Sequence, residues 1–182
     1  MRIIGGEWRR RIIQFDTAAG VRPTPDRVRQ TLFDWLAPLI EGAHCLDLFA
    51  GSGALGLEAL SRGAARVTFV EAAAKPAALI RAALEKLGAA ARAEVLQADA
   101  LRYLDQIHTP AFDAVFLDPP FDAGLLKPAL ERLPPLLRPD NCIYLEYREG
   151  QSFTLPSGYT LLREKKAGQV SYALATFSGA SA

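Results

Sequence analysis

The chain has 182 residues, of which 50% are hydrophobic and 23% charged, so it suits one globular domain and excludes a disordered or fibrous protein. The formal net charge is only +1, which gives the whole molecule no general affinity for polyanions. The charge is uneven, however, because residues 1–29 hold seven arginines and three acidic residues, a balance of +4 that leaves −3 for the rest.

Cysteine content and hydropathy indicate a cellular setting. Cys45 and Cys142 lie far apart in sequence, so neither a disulfide framework nor a zinc or redox pair is expected. No apolar run approaches the roughly 20 residues of a membrane span, and the first residues lack the apolar stretch of a signal peptide. We therefore expect a cytoplasmic protein with no membrane contact and no metal site.

The N-terminal part predicts a basic extension followed by a helix. Residues 2–4 and the run 8–15 flank Gly5-Gly6 and are expected to pair as a hairpin. Thr24 and Pro25 then predict the N-cap and first residue of a helix, because apolar residues follow at spacings of three and four as far as Ile40.

Beyond this helix, short apolar runs alternate with helical patterns. Strands are predicted at 44–49, 66–70, 93–97, 114–117 and 142–147, helices at 53–62, 75–87, 101–107 and 125–137, and a final hairpin at 159–165 and 169–177. The pattern predicts an α/β, Rossmann-like protein with a doubly wound, mainly parallel seven-stranded sheet and an antiparallel C-terminal hairpin. We expect one domain over residues 1–182, with an extension at 1–22 and a catalytic core at 23–178.

A glycine-rich loop indicates a nucleoside cofactor. The pattern G-x-G-x-x-G runs from Gly51 to Gly56, after the first predicted strand and at the start of a helix. Glu71 ends the next strand, where a carboxylate can accept hydrogen bonds from both ribose hydroxyls. A phosphate-binding P-loop is excluded, because Leu57-Glu58 replaces the required Lys-Ser/Thr pair.

Charge near this loop favours a methyl donor over a dinucleotide. Asp47 lies four residues before Gly51, where it would repel a pyrophosphate but attract the ammonium and sulfonium of S-adenosylmethionine. Asp99 follows the third strand. It is expected to bond the exocyclic amine of adenine, to cap the next helix, or to do both. Phe49 and Thr24 are further candidates for donor binding.

The segment Asp118-Pro119-Pro120-Phe121 follows the fourth predicted strand, whose carboxyl end should face the same crevice as the first. The Asp118 carboxylate and the Pro119 carbonyl can accept hydrogen bonds from a planar exocyclic amine, while Phe121 can stack on the base. Attack on a methyl group needs the nitrogen lone pair to leave its conjugation with the ring. Two acceptors aimed at the amine hydrogens favour this rehybridised state of the nitrogen. We therefore predict N-methylation of a nucleobase, with these four residues at the catalytic site.

Several segments together resemble a known family. The Asp-Pro-Pro-Phe loop, the extended glycine loop 48–64 and residues 6–11, 21–36 and 168–172 are similar to class I S-adenosylmethionine-dependent amino methyltransferases. The similarity is closest to the bacterial RsmD family of 16S ribosomal RNA (guanine(966)-N(2))-methyltransferases, and it covers nearly the whole chain. Residues 21–36 and 48–64 carry the specificity, since adenine-N6 and glutamine-N5 enzymes use relatives of the Asp-Pro-Pro-Phe loop. Glu7 is a departure, because the family usually has a lysine-rich start there.

The resemblance implies methylation of a guanine N2 in 16S ribosomal RNA, within a 30S subunit or an assembly intermediate, by a monomer. It implies that S-adenosylmethionine is held around Asp47, Gly51, Gly53, Glu71 and Asp99. The basic extension is expected to contact RNA phosphates through Arg9, Arg10, Arg11 and Arg22.

Other functions remain open from the residues alone. Adenine-N6 methylation of DNA or RNA and amide-N methylation of a protein use the same loop chemistry. A non-catalytic RNA-binding protein on this fold is disfavoured, because the glycine loop, Glu71 and Asp118 are all intact. A dehydrogenase is disfavoured by Asp47 together with the Asp118 loop.

Overall fold

The computed structural model describes residues 1–16, 24–150 and 153–179. The helices are α1 (Asp26–Ile40), α2 (Ala54–Ser61), α3 (Ala74–Lys86), α4 (Ala100–Gln106) and α5 (Leu126–Arg132), with short 3-10 helices at Ala90–Arg92, Phe121–Ala123 and Pro134–Leu136. The strands are β1 (His44–Asp47), β2 (Arg66–Glu71), β3 (Ala93–Gln97), β4 (Phe112–Leu117), β5 (Leu137–Arg148), β6 (Tyr159–Ala167) and β7 (Val170–Phe177). Within these ranges, no helix is long and apolar enough to cross a membrane.

The strands form one seven-stranded sheet in the order β3-β2-β1-β4-β5-β7-β6. Strands β1 to β5 pair in parallel, whereas β7 runs antiparallel to both β5 and β6. The predicted mainly parallel sheet with an antiparallel C-terminal hairpin is therefore confirmed. Because the strand order reverses between β1 and β4, a crevice lies at the carboxyl ends of these two strands.

Helices cover both faces of the sheet. Leu32, Leu57 and Ile80 bring α1, α2 and α3 into one buried apolar cluster. Leu104 and Leu130 bring α4 and α5 into a second cluster on the opposite face. Each fully buried side chain of this kind stabilises the fold by roughly 1.5–3 kcal/mol, so the strand ends between the two layers are held rigidly.

The prediction for α5 is wrong at its C-terminal end. The helix stops at Arg132 instead of reaching residue 137, and the chain continues as a 3-10 helix from Pro134. Two consecutive prolines lack the N–H groups that an α-helix needs, which explains the early end. Strand β5 then begins at Leu137, five residues before its predicted start.

The start of α1 also differs from its prediction, because Thr24 is not the N-cap. The helix begins at Asp26, and Pro25 occupies the N-cap with an extended ψ of 145° and no side-chain cap. The Thr24 hydroxyl instead donates to Oδ2 of Asp118 at 3.5 Å, across 94 residues of sequence. Of the two roles expected for Thr24, the helix cap is therefore wrong, and the residue contacts the crevice where donor binding was predicted.

The N-terminal extension packs onto the core. Arg2 and Ile12 form an antiparallel bridge, and the side chains of Ile3, Trp8 and Ile13 are buried. The segment is basic on its exposed side and apolar on the side that faces the domain.

A buried carboxylate anchors this extension. Glu58 on α2 is fully buried, and it accepts the backbone N–H of Ile4 at 2.9 Å and that of Gly5 at 2.8 Å. The same carboxylate accepts hydrogen bonds from Arg62 Nε at 2.8 Å and from buried Arg29 Nη1 at 3.4 Å. Because a buried charge is tolerated only when it is paired and hydrogen-bonded, Glu58 ties the extension, α1 and α2 into one unit.

Candidate active site

A cavity of about 900 Å³ opens at the carboxyl ends of β1, β2, β4 and β5. Its size lies in the upper part of the range for small-molecule sites. The charged residues of the described lining are five carboxylates and one arginine: Asp47, Glu71, Asp99, Asp118, Glu146 and Arg148. Such a wall attracts a cationic ligand and repels a pyrophosphate.

Asp47 ends β1 and is only 2% exposed. Its Oδ2 accepts the backbone N–H of Gly56 at 3.0 Å, which holds the first turn of α2 against the end of β1. Burial raises the pKa of Asp47 to about 7; the Gly56 bond opposes this rise, and the nearby Glu71 adds to it. A cationic group in the cavity would therefore stabilise the ionised form of this carboxyl.

The three glycines of the loop have different tasks. Gly51 and Gly53 have positive φ values of 53° and 74°, which a tight strand-to-helix turn requires. Gly51 lines the cavity, whereas Gly53 lies outside the described lining as the N-cap of α2, where a Cβ atom would meet Ile80 at 3.0 Å. A Cβ at Gly56 would lie 2.2 Å from a Phe69 ring carbon, so this glycine permits close packing of α2 on β2.

Glu71 holds the glycine loop from the end of β2. Its Oε2 accepts the N–H of Gly51 at 2.8 Å, and its Oε1 accepts the N–H of Ala73 at 2.8 Å. An ionised carboxylate has about four acceptor positions, so each oxygen can still accept one hydroxyl. The predicted contact with a ribose is compatible with this anchoring.

Asp99 caps α4, since its Oδ1 accepts the N–H of Arg102 at 3.0 Å. The capping interpretation is therefore confirmed, and the residue also lines the cavity. Phe49 and Thr24 line the cavity as well, from the end of β1 and the start of α1.

The loop after β4 forms a further part of the wall. Asp118, Pro119, Pro120 and Phe121 all line the cavity, and Phe121 opens a short 3-10 helix. Because the two prolines offer no N–H, this segment cannot continue the sheet. The chain turns away from the sheet here, and the proline rings keep its backbone stiff. The structure thus brings the predicted target loop and the predicted donor loop to one cavity.

Sequence reasoning missed Glu146, which lies beside Asp118. Strands β4 and β5 pair with Leu117 opposite Leu145, so Asp118 and Glu146 come next in register on neighbouring strands and point to the same face. Glu146 is 5% exposed and accepts a hydrogen bond from the Tyr144 hydroxyl at 2.7 Å. Its signal in the sequence is that it is the single acidic residue within the apolar predicted strand 142–147.

The two carboxyls perturb one another. Burial raises the pKa of Asp118 well above its ordinary range, and the charges of Glu146 and Asp47 raise it further. Burial also raises the pKa of Glu146, against hydrogen bonds with Tyr144, Thr24 and Asp118 that lower it. The pair therefore titrates as a unit that holds one proton more readily than ordinary carboxyls.

Of the predicted RNA-binding arginines, the three at residues 9–11 are not part of the described cavity lining. Arg9, Arg10 and Arg11 are exposed on the extension, and Arg22 lies outside the described residues. Glu7, the acidic residue in this run, pairs with Arg92 at 3.0 Å. The basic run thus forms an exposed surface on a segment that is anchored to the core.

A second cavity of about 320 Å³ adjoins the first. Pro119, Pro120, Phe121, Leu125 and Glu146 line both cavities. The rest of the second lining is mainly apolar and aromatic: Gly124, Leu126, Lys127, Tyr147, Phe153 and Thr154.

Metal or thiol chemistry finds no support in the described ranges. No group of three or more His, Cys, Asp or Glu side chains there could hold a metal ion. Cys45 and Cys142 are buried and unpaired, and burial raises the pKa of Cys142 to about 12. Neither thiol is suited to act as a nucleophile.

Comparison with known proteins agrees with this geometry. The family model described as Conserved hypothetical protein 95 matches residues 1–176. Ribosomal RNA small subunit methyltransferase D of Escherichia coli is 47% identical over 179 residues, covering 96% of this chain and 88% of that protein. The Haemophilus influenzae protein of the same name is 44% identical over 178 residues, covering 96% and 92%. The solved structure of Escherichia coli yhhF has a TM-score of 0.88 at 43% identity, with 97% of each chain covered.

Proposed function

The chain belongs to the Conserved hypothetical protein 95 family, and we propose that it transfers a methyl group from S-adenosylmethionine to the exocyclic N2 of a guanine in 16S ribosomal RNA. Relatives that are 44–47% identical over nearly its whole length are small subunit ribosomal RNA methyltransferases, and this chain is an enzyme of that type. The observation that carries the proposal is the single acidic cavity in which the glycine loop and the Asp118 loop meet.

The cavity suits S-adenosylmethionine, the methyl donor of this enzyme class, which supplies an electrophilic methyl group on a positively charged sulfur. Five carboxylates against one arginine give the wall a negative balance, and buried Asp47 gains most from a nearby cation. A pyrophosphate would meet the same carboxylates and be repelled.

The donor-binding residues divide by chemistry. Glu71 retains one acceptor position on each oxygen for the two ribose hydroxyls, and Asp99 retains Oδ2 for the adenine amine. Gly51 lets the backbone approach the ligand, while Gly53 acts indirectly by setting the turn. The remaining assigned contacts are Asp47, Phe49 and Thr24.

The Asp118 loop holds the target amine. Its carboxylate and the Pro119 carbonyl accept the two N–H bonds, which turns the nitrogen lone pair toward the methyl group. Phe121 provides a face on which the base stacks. Pro120 keeps this arrangement rigid.

Methyl transfer leaves one proton to be removed from N2. The nitrogen–carbon bond forms as the carbon–sulfur bond breaks, and a proton then leaves the positively charged amine. The Asp118–Glu146 pair is placed to accept it, because the pair holds one proton and its raised pKa values make the remaining carboxylate a better base than an ordinary carboxyl.

The proposed RNA surface is the exposed basic run at residues 9–11, with Arg22 as a further contact. Phosphate contacts position the RNA without reading its sequence. We further propose that residues 1–22 and 23–178 work as one domain, that the enzyme is a cytoplasmic monomer, and that it meets its target in a 30S subunit or assembly intermediate.

A deletion strain tests this function. Ribosomal RNA from the strain is digested to nucleosides and analysed by mass spectrometry, and the position is mapped by primer extension. We expect the loss of one N2-methylguanosine from 16S RNA, restored by the parent gene and not by one carrying Asp118→Ala. Loss of N6-methyladenosine instead, or an unchanged nucleoside profile, would contradict the proposal.

A further inference from the structure

Glu146 occupies the junction between the donor cavity and the second cavity. It lines both, together with Pro119, Pro120, Phe121 and Leu125. The wall that the two cavities share is thus residues 119–121 of the target loop and Leu125, plus one buried carboxylate from β5. Asp118 lines the donor cavity and lies next in register to Glu146, so a group in the second cavity whose edge passes Glu146 into the donor cavity can reach both carboxyls.

The second cavity has the chemistry of a pocket for a flat, uncharged ring. Phe121, Tyr147 and Phe153 contribute aromatic rings, and the centroids of the last two lie 5.2 Å apart. Enzymes that modify bases hold the extruded base between aromatic or apolar side chains and read its Watson–Crick edge with hydrogen bonds. The buried polar group in this lining is the Glu146 carboxylate.

The Glu146 carboxylate has room for one more donor. Its hydrogen-bonding partners are the Tyr144 hydroxyl, the Asp118 carboxyl and the Thr24 hydroxyl, whose single proton is shared with Asp118. Since a carboxylate offers about four acceptor positions, one remains. Because Glu146 also lines the second cavity, a donor on a group lying there can reach this position.

We propose that Glu146 is the residue that selects guanine, by accepting the hydrogen bond of the guanine N1–H while Asp118 holds the neighbouring N2 amine. This inference rests on the proposed function and names how its substrate is recognised. Guanine presents N1–H and N2–H side by side, which matches two carboxyls in register on adjacent strands. Adenine presents an unprotonated N1, whose lone pair would face the carboxylate without a proton between them.

The discrimination is expected to be strong because the Glu146 carboxylate is buried. A site that hydrogen-bonds a substrate N–H rejects an analogue without it, since a buried acceptor is left unpaired. One good base contact changes preference by about tenfold to a hundredfold.

The test compares two RNAs that differ only at the target base. One is the small subunit RNA substrate with its target guanosine, and the other carries 2-aminopurine riboside there, which keeps the N2 amine and lacks the N1 proton. Single-turnover methyl transfer is measured at saturating donor for both. We expect the parent enzyme to favour guanine by about tenfold or more.

The variant Glu146→Gln separates recognition from intrinsic base reactivity. Its amide keeps an acceptor for Tyr144 and can donate to an unprotonated N1. The guanine to 2-aminopurine ratio should therefore fall at least tenfold relative to the parent. The matched control is Glu149→Gln, an exposed change three residues along that breaks only the surface pair with Lys166 and should keep the parent ratio.

The outcomes distinguish this inference from the proposed function. Equal rates on both bases in the parent, or an unchanged ratio in a Glu146→Gln protein that still binds donor, would overturn the role of Glu146 alone. Failure of the parent to methylate the guanine RNA would overturn the proposed function and this inference together. If Glu146→Gln does not fold, equal parent rates on the two RNAs would still overturn the inference.

Discussion

The protonation of Asp47 is expected to make the stability of the ligand-free enzyme depend on pH. In the folded protein the pKa of this carboxyl is about 7, against an ordinary value of 3.8, because it is buried. The unfolded chain therefore loses this proton at lower pH than the folded protein does. It follows that stability falls as pH rises from about 4, and that the loss is complete above about 7.

The size of this effect follows from the same values. A rise from 3.8 to about 7 corresponds to roughly 4 kcal/mol of destabilisation at pH 8, of which about 1.4 kcal/mol is lost between pH 6 and pH 8. Asp47→Asn removes the charge and keeps an oxygen that can accept the Gly56 N–H. The variant should therefore be more stable than the parent at pH 8 in the absence of donor.

Urea unfolding at pH 6, 7 and 8 measures this directly. The difference in unfolding free energy between variant and parent should grow by at least about 1.4 kcal/mol from pH 6 to pH 8, because loss of the Asp47 charge also lowers the pKa of Asp118 and reduces the stability that this carboxyl loses as pH rises. Asp34→Asn, which changes an exposed aspartate bonded to Gln30, is the matched control and should leave the pH dependence unchanged. A parent-like slope in Asp47→Asn, or a variant less stable than the parent at pH 8, would refute the reasoning.

Three further predictions concern the RNA surface, the target loop and the buried anchor. Replacing the arginines at residues 9–11 with glutamine should weaken RNA binding while donor affinity stays the same. The slope of log RNA affinity against log salt concentration should fall by about 2, and an unchanged slope in filter binding would show that these arginines do not contact RNA. Asp118→Ala should lower the rate of single-turnover methyl transfer on the order of 10²–10³-fold with little change in melting temperature, and a near-parent rate would show that the loop is structural. Phe121→Ala should weaken RNA binding by roughly 1–3 kcal/mol. Glu58→Ala leaves buried Arg29 without this partner and should cost about 3 kcal/mol or more in urea unfolding, so a loss below 1 kcal/mol would contradict the anchoring role.

Local patterns in the sequence were enough to predict the architecture. Apolar runs alternating with helical periodicity predicted the parallel sheet, and the final pair of runs predicted its antiparallel edge. The glycine loop and the Asp118 loop were predicted at the correct strand ends because glycines and prolines act on the backbone around them. The end of α5 was predicted wrongly because, at Pro134, the helical pattern and the two prolines favour different backbone conformations within a single turn.

Tertiary structure decided what the polar residues do. Thr24 was expected to cap a helix and to bind the donor, but its contact with Asp118 was not predicted. Glu58, noted in the sequence only as a departure from the P-loop pattern, anchors the N-terminal extension. Both roles depend on partners more than 50 residues away, which no local periodicity encodes.

The same holds for the acidic site. The alternation of strands and helices predicted a mainly parallel sheet, but the pairing of Leu117 with Leu145 is what sets Glu146 beside Asp118. Burial by the surrounding layers then raises the pKa values of Asp47, Asp118 and Glu146. Sequence alone determined which carboxyls exist and at which strand ends they lie, because backbone geometry is local. Their mutual distance and desolvation belong to the folded chain, because both depend on strand register and on packing between distant segments.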